Sequence, residues 1–230
     1  MEERPDDGWR PFDEVEHQRQ LGAVLELVTA APAHRRMALD LGCGDGRIAK
    51  PAAAAGVRVL AIDRDPAALR ACGGVEGVVT RQGELLDAAT VFTLEGAPAH
   101  FGWCLGHTFM QFHDVARAAT LMRRLRESMA DGSWLAIDNF CDALWADVAD
   151  GSWQTGISED GAWQFIWSRG DNTMALRSGD RVDPSNWSIG ADDELLRLWS
   201  RGELALLAEA SGWRGPRPDA TGALLLFEKD

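Results

Sequence analysis

"ALDLGCGDGRI", residues Ala38 to Ile48, places three glycines, Gly42, Gly44 and Gly46, at alternate positions directly after a short apolar run. Met37–Leu41 reads as a buried strand that the first glycine stops. A glycine-rich turn between a strand and a helix lets the backbone approach a ligand closely, and the helix that follows offers free N–H groups. Such turns usually carry a nucleotide. A dinucleotide turn has the form G-x-G-x-x-G, in which the third glycine permits close helix packing. Here the residue three after Gly44 is Arg47, so the spacing is G-x-G-x-G, and Asp40 stands two residues before the first glycine. An acid at that place suits a cationic amino group, which a pyrophosphate lacks.

Working outward, the chain alternates strand and helix. Apolar residues at helical spacing (Val15, Leu21, Val24, Leu25, Val28) predict a helix over Asp13 to about Thr29, behind a polar arm. After the glycine turn, Asp45–Ala55 reads as helix and Val57–Asp63 as a second strand ending in an acid. Pro66 opens the next helix, where its fixed φ is tolerated. "VEGVVTRQG" and "HFGWCLG" read as the third and fourth strands, Phe109 to Ala130 as a long helix, and Ser133–Asp138 as the fifth strand. Strands alternating with helices specify a parallel sheet covered on both faces. Residues 143–195 break this rhythm with strand-like pieces and Gly-Asp and Gly-Ser turns, which predicts an antiparallel insertion. "LWSRGELALLAEASGW" then restores a helix and "ALLLFEK" closes with a strand, so residues 1–230 read as one domain, with an N-terminal arm and helix over 1–30 and a substrate-binding insertion over 143–195.

Of the 230 residues, 46% are hydrophobic and 26% charged, with 23 basic against 36 acidic side chains and a net charge of −13. That balance disfavours binding to a phosphate backbone, which depends on Lys and Arg displacing counterions. The four cysteines have neither CxxC nor His-rich spacing, so no metal site and no disulfide framework is expected. There is no secretory leader pattern and no apolar run of about 18 residues, which points to a cytoplasmic protein without a membrane span. A small-molecule partner fits best, with a monomer or homodimer as the assembly.

Asp63 lies 17 residues after Gly46 and ends the second strand. An acid there accepts hydrogen bonds from both hydroxyls of a ribose, whether the cofactor is a nicotinamide or S-adenosylmethionine. "RQGELLD" ends the third strand and offers Glu84 and Leu85 to an adenine edge. With "LDLGCGDG", "AIDRDP", "GEL", the helix "SRGELALLAEASGW" and the strand "ALLLFEK", the chain resembles the class I S-adenosylmethionine-dependent methyltransferases over roughly residues 37–142 and 199–229. The resemblance implies an α/β, Rossmann-like, mostly parallel sheet of seven strands with helices on both faces and the last strand antiparallel. It also implies S-adenosylmethionine as cofactor. Carried onto this sequence, Gly42 and Gly44 line the methionine part and Asp40 faces its amino group. Asp63 holds the ribose, Arg64 flanks the adenine, and Glu84 with Leu85 reads its edge. Cys43 completes the turn, either as a contact or as a small buried residue. Arg64 alternatively sits on the surface, and Glu84 alternatively opens a helix. Trp9 of the N-terminal arm either closes over the cofactor, as aromatics do in similar enzymes, or belongs to a disordered arm.

"CLGHTFMQF", Cys104–Phe112, follows the fourth strand, where such a fold faces the methyl group. Leu105 and Gly106 are expected beside the cofactor. The stretch is similar to the "GNSF" segment of glycine and sarcosine N-methyltransferases, with His107 for the asparagine, Thr108 for the serine, Phe109 matching, and Gln111 where a histidine often stands. An amine nucleophile needs mainly alignment and desolvation, whereas a hydroxyl also needs a base. His107 and His113 are the candidate bases, with backbone ordering or a cofactor contact the alternative for His107 and a surface or helix-packing role that for His113. Asp138, at the end of the fifth strand, joins them as a candidate catalytic acid, with Asn139 as its polar neighbour toward substrate. Six of the ten tryptophans fall within 143–199. They form either the core of a thin layer or an aromatic wall, with Trp163, Trp167 and Phe109 as candidate substrate contacts. The reading is methyl transfer to a small molecule, at nitrogen before oxygen, within secondary metabolism. A nicotinamide-dependent oxidoreductase and a non-catalytic S-adenosylmethionine-binding protein are the alternatives.

Overall fold

The computed structural model describes residues 14–151 and 153–230. Helix Glu14–Ala30 (α1) precedes strand Met37–Leu41 (β1), helix Ala49–Ala54 (α2), strand Arg58–Asp63 (β2), helix Pro66–Cys72 (α3) and strand Val78–Gln82 (β3). Strand Phe101–Cys104 (β4), helix Val115–Ser128 (α4) and strand Trp134–Asp138 (β5) complete the parallel set. After the insertion come helix Arg201–Ser211 (α6) and strands Arg214–Pro218 (β10) and Leu224–Glu228 (β11). The seven strands lie in the order β3-β2-β1-β4-β5-β11-β10. β1 to β5 are mutually parallel, and β11 runs antiparallel to both β5 and β10. The order reverses between β1 and β4, and ligands of open α/β sheets bind beyond the strand ends at such a switch point.

Alternation along the strands divides the core in two. Leu39, Leu41, Leu60, Ile62, Leu135 and Ile137 pack with α4 and α6, while Ala38, Val59, Ala61, Trp103 and Ala136 pack with α1, α2 and α3. By the same alternation Asp40 and Asp138 share the α1 face, which places two acids in an otherwise apolar layer.

Three expected elements differ. The helix after the glycine turn starts at Ala49 rather than Asp45, because Gly44 and Gly46 hold φ of +52° and +86° and keep the turn open. The long helix expected from Phe109 is two pieces. Thr108–Gln111 is a single 3-10 turn, and α4 begins only after Asp114, whose carboxylate caps it by accepting the N–H of Ala116 at 2.9 Å and of Arg117 at 3.1 Å. The insertion opens with a helix, Phe140–Ala149 (α5), rather than a strand. Gly156–Ile157 (β6), Trp163–Trp167 (β7), Thr173–Ser178 (β8) and Glu194–Arg197 (β9) then form the expected antiparallel sheet, in that order.

The two faces of this small sheet differ in kind. Trp163, Phe165 and Trp167 of β7 share the face that packs on the main core. On the other face Arg177 grips Asp193 through both carboxylate oxygens, at 2.7 and 2.8 Å, with both side chains 6% exposed. Arg177 also donates to the carbonyls of Asn186 and Ser188, and buried Gln164 donates to those of Asp183 and Asn186. These bonds tie the loop 179–193 to the sheet without an apolar core of its own.

Candidate active site

The glycine turn leaves β1 with the N–H groups of Gly42 and Cys43 donating to the Ile62 carbonyl at 2.8 and 3.1 Å. Asp63 closes β2, and its carboxylate accepts the Gly44 N–H at 2.8 Å and the Asp65 N–H at 2.9 Å. A groove of about 780 Å³ runs across these strand ends, and Gly42, Gly44, Asp63, Arg64, Glu84 and Leu85 of the expected set line it. Thr108, Gln111, Phe112 and Arg117 line it too, which sequence reasoning missed. The signal for Arg117 was present: Asp114 is a good N-cap, and recognising it puts Arg117 in the first turn of α4.

The groove fits an adenosyl cofactor. A Cβ on Gly44 would meet no atom within 4 Å, so the turn leaves open space where a ligand's backbone-hugging part can lie. Asp40 is 4% exposed beneath the turn, and its Oδ2 has no hydrogen-bond partner of normal geometry among the described residues. Burial pushes this carboxyl up to about 7, against the pull of the Trp103 indole N–H and the Arg47 guanidinium. A nearby ammonium would satisfy it. Gly42 has a second role, since a Cβ there would stand 2.5 Å from Thr108 Cγ2; the glycine lets the turn after β4 close against the turn after β1.

That second turn is held by Asp138. Fully buried, it accepts the Gly106 N–H and the His107 N–H, each at 2.9 Å, and the Gln20 amide of α1 at 2.8 Å. Gln20 in turn accepts from Arg47 at 2.8 Å, and Arg47 also meets His17 Nδ1 at 2.8 Å. The arginine that stands where a dinucleotide fold has glycine therefore links the glycine turn to the Gly106–His107 turn through α1. His107 sits at φ +60°, 4% exposed, within reach of two carboxylates: ligand atoms of Glu16, His107 and Asp138 lie within 4.8 Å of one another. Burial lowers the His107 pKa below 6.5, with Asp138 pulling the other way, so its imidazole is neutral at neutral pH.

A cavity of about 280 Å³ lies between this turn and the insertion, walled by Gly106, His107, Trp163, Leu176, Glu194 and Leu196 among others. Gln111 lines both the groove and the cavity.

The structure places several expected residues elsewhere. Phe109 is 1% exposed and packs edge-on to Phe112 and against Trp199, as core. Leu105 and Cys43 are buried in the second core cluster, where the thiols of Cys43 and Cys72 interact. The Asn139 amide donates to the Gly222 carbonyl at 2.8 Å, holding the loop before β11. Trp167 donates its indole N–H to the Trp153 carbonyl and packs on the core. Gly106 faces the cavity rather than the groove. His113 lines neither space; its carbonyl accepts from Arg197. Asp138 is enclosed behind the turn it holds, which makes it a positioning residue. Trp9 lies outside the described residues.

Residues 39–136, from β1 to β5, match the family model of the methyltransferase domain. The chain carries a methyltransferase domain and is an S-adenosylmethionine-dependent enzyme. Solved structures similar to this methyltransferase include an S-adenosylmethionine-dependent methyltransferase from Clostridium acetobutylicum, at 9% identity over 94% of this chain and 92% of that one, with a TM-score of 0.64. CcbJ methyltransferase from Streptomyces caelestis is similar at 18% identity over 100% and 99%, with a TM-score of 0.60. CalS10, an amino pentose methyltransferase from Micromonospora echinaspora involved in calicheamicin biosynthesis, is similar at 18% over 94% and 92%, with a TM-score of 0.58. These likenesses concern the fold. No curated protein matches the chain significantly. The methyltransferase assignment sets the nicotinamide alternative aside. No helix among the described residues is long and apolar enough to cross a membrane.

Proposed function

We propose that this methyltransferase acts on a small-molecule amine, as a single-domain cytoplasmic enzyme that tailors a secondary metabolite. The observation that carries the reading is the sharing of Gln111 by the adenosyl-sized groove and the smaller cavity, with Thr108 on the groove side and His107 on the cavity side of one turn. S-adenosylmethionine supplies a sulfonium methyl carbon open to in-line attack by a lone pair. Asp63 and the glycine turn hold the ribose and methionine ends, Arg64, Glu84 and Leu85 the adenine, and Asp40 the amino group. His107 takes the proton that the acceptor nitrogen must lose. Its neutral imidazole can accept it, and the carboxylates of Glu16 and Asp138 stabilise the imidazolium that results. Alignment of the acceptor with the methyl carbon supplies the rest. The "GHTF" likeness to glycine and sarcosine N-methyltransferases supports nitrogen as the acceptor atom, and CalS10, described as an amino pentose methyltransferase, is a similar fold that acts on an amine-bearing small molecule.

The test is formation of S-adenosylhomocysteine from S-adenosylmethionine with a panel of primary and secondary amines and their hydroxyl isosteres. Turnover with amines, lowered by about 10²- to 10⁴-fold in His107→Ala, is the expected result. Turnover with hydroxyl acceptors alone would overturn the choice of nitrogen.

A further inference from the structure

The insertion sheet places a carboxylate at the edge of the cavity. Strand register puts Trp163 opposite Ser178, Phe165 opposite Leu176 and Trp167 opposite Met174, while Leu176 pairs with Glu194 and Met174 with Leu196. All eight side chains therefore share one face, the face packed on the main core. At one end it is apolar and closed: Met174 is fully buried and Leu196 is 3% exposed. At the other end the same register carries Ser178 and a carboxylate, Glu194. Glu194 stands at the exposed start of β9, where this face opens to solvent and the carboxylate lines the cavity. Glu194 forms no ion pair among the described residues; the nearest arginine of its sheet, Arg177, is on the opposite face and held by Asp193.

We propose that Glu194 and Trp163 form the recognition site for a compact, singly charged ammonium ligand, the acceptor of the methyltransferase. This rests on the amine reading above and narrows it. The cavity is lined by one carboxylate and one indole, and no Lys or Arg lines it among the described residues. A cation gains from both groups, and an anionic acceptor meets the carboxylate with no cationic Lys or Arg to offset it. Of the other polar walls, Gln111 and Ser178 are uncharged and burial lowers the His107 pKa, so none adds an opposing charge at neutral pH. A volume of about 280 Å³ is below that of pockets for drug-sized ligands, so the occupant is small. Glu194 sits at the solvent-exposed rim. Its pairing therefore serves capture and orientation, and closure of the cavity by the ligand itself strengthens it.

The experiment is calorimetric titration of benzylamine, benzyl alcohol and benzoate into the protein loaded with S-adenosylhomocysteine. The three probes share a ring and differ in charge. Benzylamine should bind at least about 10-fold more tightly than either isostere. Glu194→Gln should weaken benzylamine by about 2- to 5-fold, the scale of one exposed ion pair, and leave benzyl alcohol unchanged. Trp163→Leu should weaken benzylamine more than benzyl alcohol. Equal binding of amine and alcohol, no binding of any probe, or an amine preference undiminished in Glu194→Gln overturns the proposal. Binding of S-adenosylhomocysteine by each variant reports that the protein is folded. Its failure in the unaltered protein would instead count against the cofactor site.

Discussion

The backbone N–H of His107 donates to Asp138 Oδ2 at 2.9 Å, and this bond joins the end of β5 to a left-handed residue standing between two binding spaces. Gly106 donates to the other oxygen, so a single buried carboxylate sets the path of the whole turn. Asp138→Asn keeps the shape but presents an amide N–H to a backbone N–H. We expect a loss of about 2–3 kcal/mol of stability, the scale of hydrogen bonds to a buried charged group, read by urea unfolding. S-adenosylhomocysteine affinity should fall less than turnover, because the turn carries His107 and not the ribose contacts. Unchanged turnover would refute the positioning role.

Gly42 and Thr108 couple the first and fourth strand ends. Gly42→Ala puts a Cβ 2.5 Å from Thr108 Cγ2 and also forces a side chain onto φ +73°. The backbone term alone costs of order 1–3 kcal/mol. Thr108→Ser removes the clashing methyl and should recover part of the loss in the double variant. Strictly additive unfolding energies would show that the two residues do not meet.

Two buried groups give opposite pH signatures. Asp40 is raised from 3.8 to about 7 in the fold, so the folded state holds a proton that the unfolded chain releases. Its contribution is present below about 4 and is lost as pH rises through about 7. Comparing urea midpoints of the unaltered protein and Asp40→Asn between pH 5 and 8.5 isolates this effect, and the unaltered protein should lose more stability on the alkaline side. His107 is depressed below 6.5, so the unfolded chain takes up the proton and stability falls as pH drops below 6.5. As the base, His107 should also give kcat/KM an acid limb below pH 6.5, absent in His107→Gln. An acid limb kept by that variant would assign the proton elsewhere.

The pair Arg177–Asp193 is buried and holds Asp193 down at about 2. Loss of Arg177 leaves Asp193 with the Gly190 N–H at 2.8 Å and the more exposed Arg181 at 3.3 Å, so Arg177→Ala should cost about 3 kcal/mol, the low end for a broken buried pair. The stabilisation persists above the ordinary aspartate range and is lost as pH falls toward 2. Because this network lies on the face away from the cavity, binding of S-adenosylhomocysteine to the folded fraction should be unaffected. A parallel loss of cofactor binding would show that the insertion and the groove unfold as one unit.

The glycine turn, the acids Asp40 and Asp63 and the five parallel strands were legible because each depends on local pattern: a run of apolar residues, a stop, a charge at fixed spacing. β10 was not. "RGPRP" has no apolar alternation and two prolines, which only an edge strand tolerates, and pairing with β11 alone makes it a strand. The helix α5 was hidden by reading its tryptophan and acids as part of an antiparallel insertion. Of the site, the groove was readable and the cavity was not. Phe109 and Trp167 look like ligand contacts in sequence, yet packing gives both to the core, and Glu194 acquires meaning only through its register beside Leu176. Arg47 was noticed for the glycine it replaces; its bonds to Gln20 and His17 come from a helix about 30 residues earlier, which no local pattern records.

Calorimetric titration of S-adenosylhomocysteine into the unaltered protein and Asp63→Ala tests the central claim most directly. Asp63 lines the groove while also holding the Gly44 N–H, so its loss removes a ribose contact and loosens the turn that frames it. The account predicts one site per chain, weakened in Asp63→Ala by about 1.5–3 kcal/mol, with the variant still folded. No binding to the unaltered protein, or equal affinity in the variant, would contradict it.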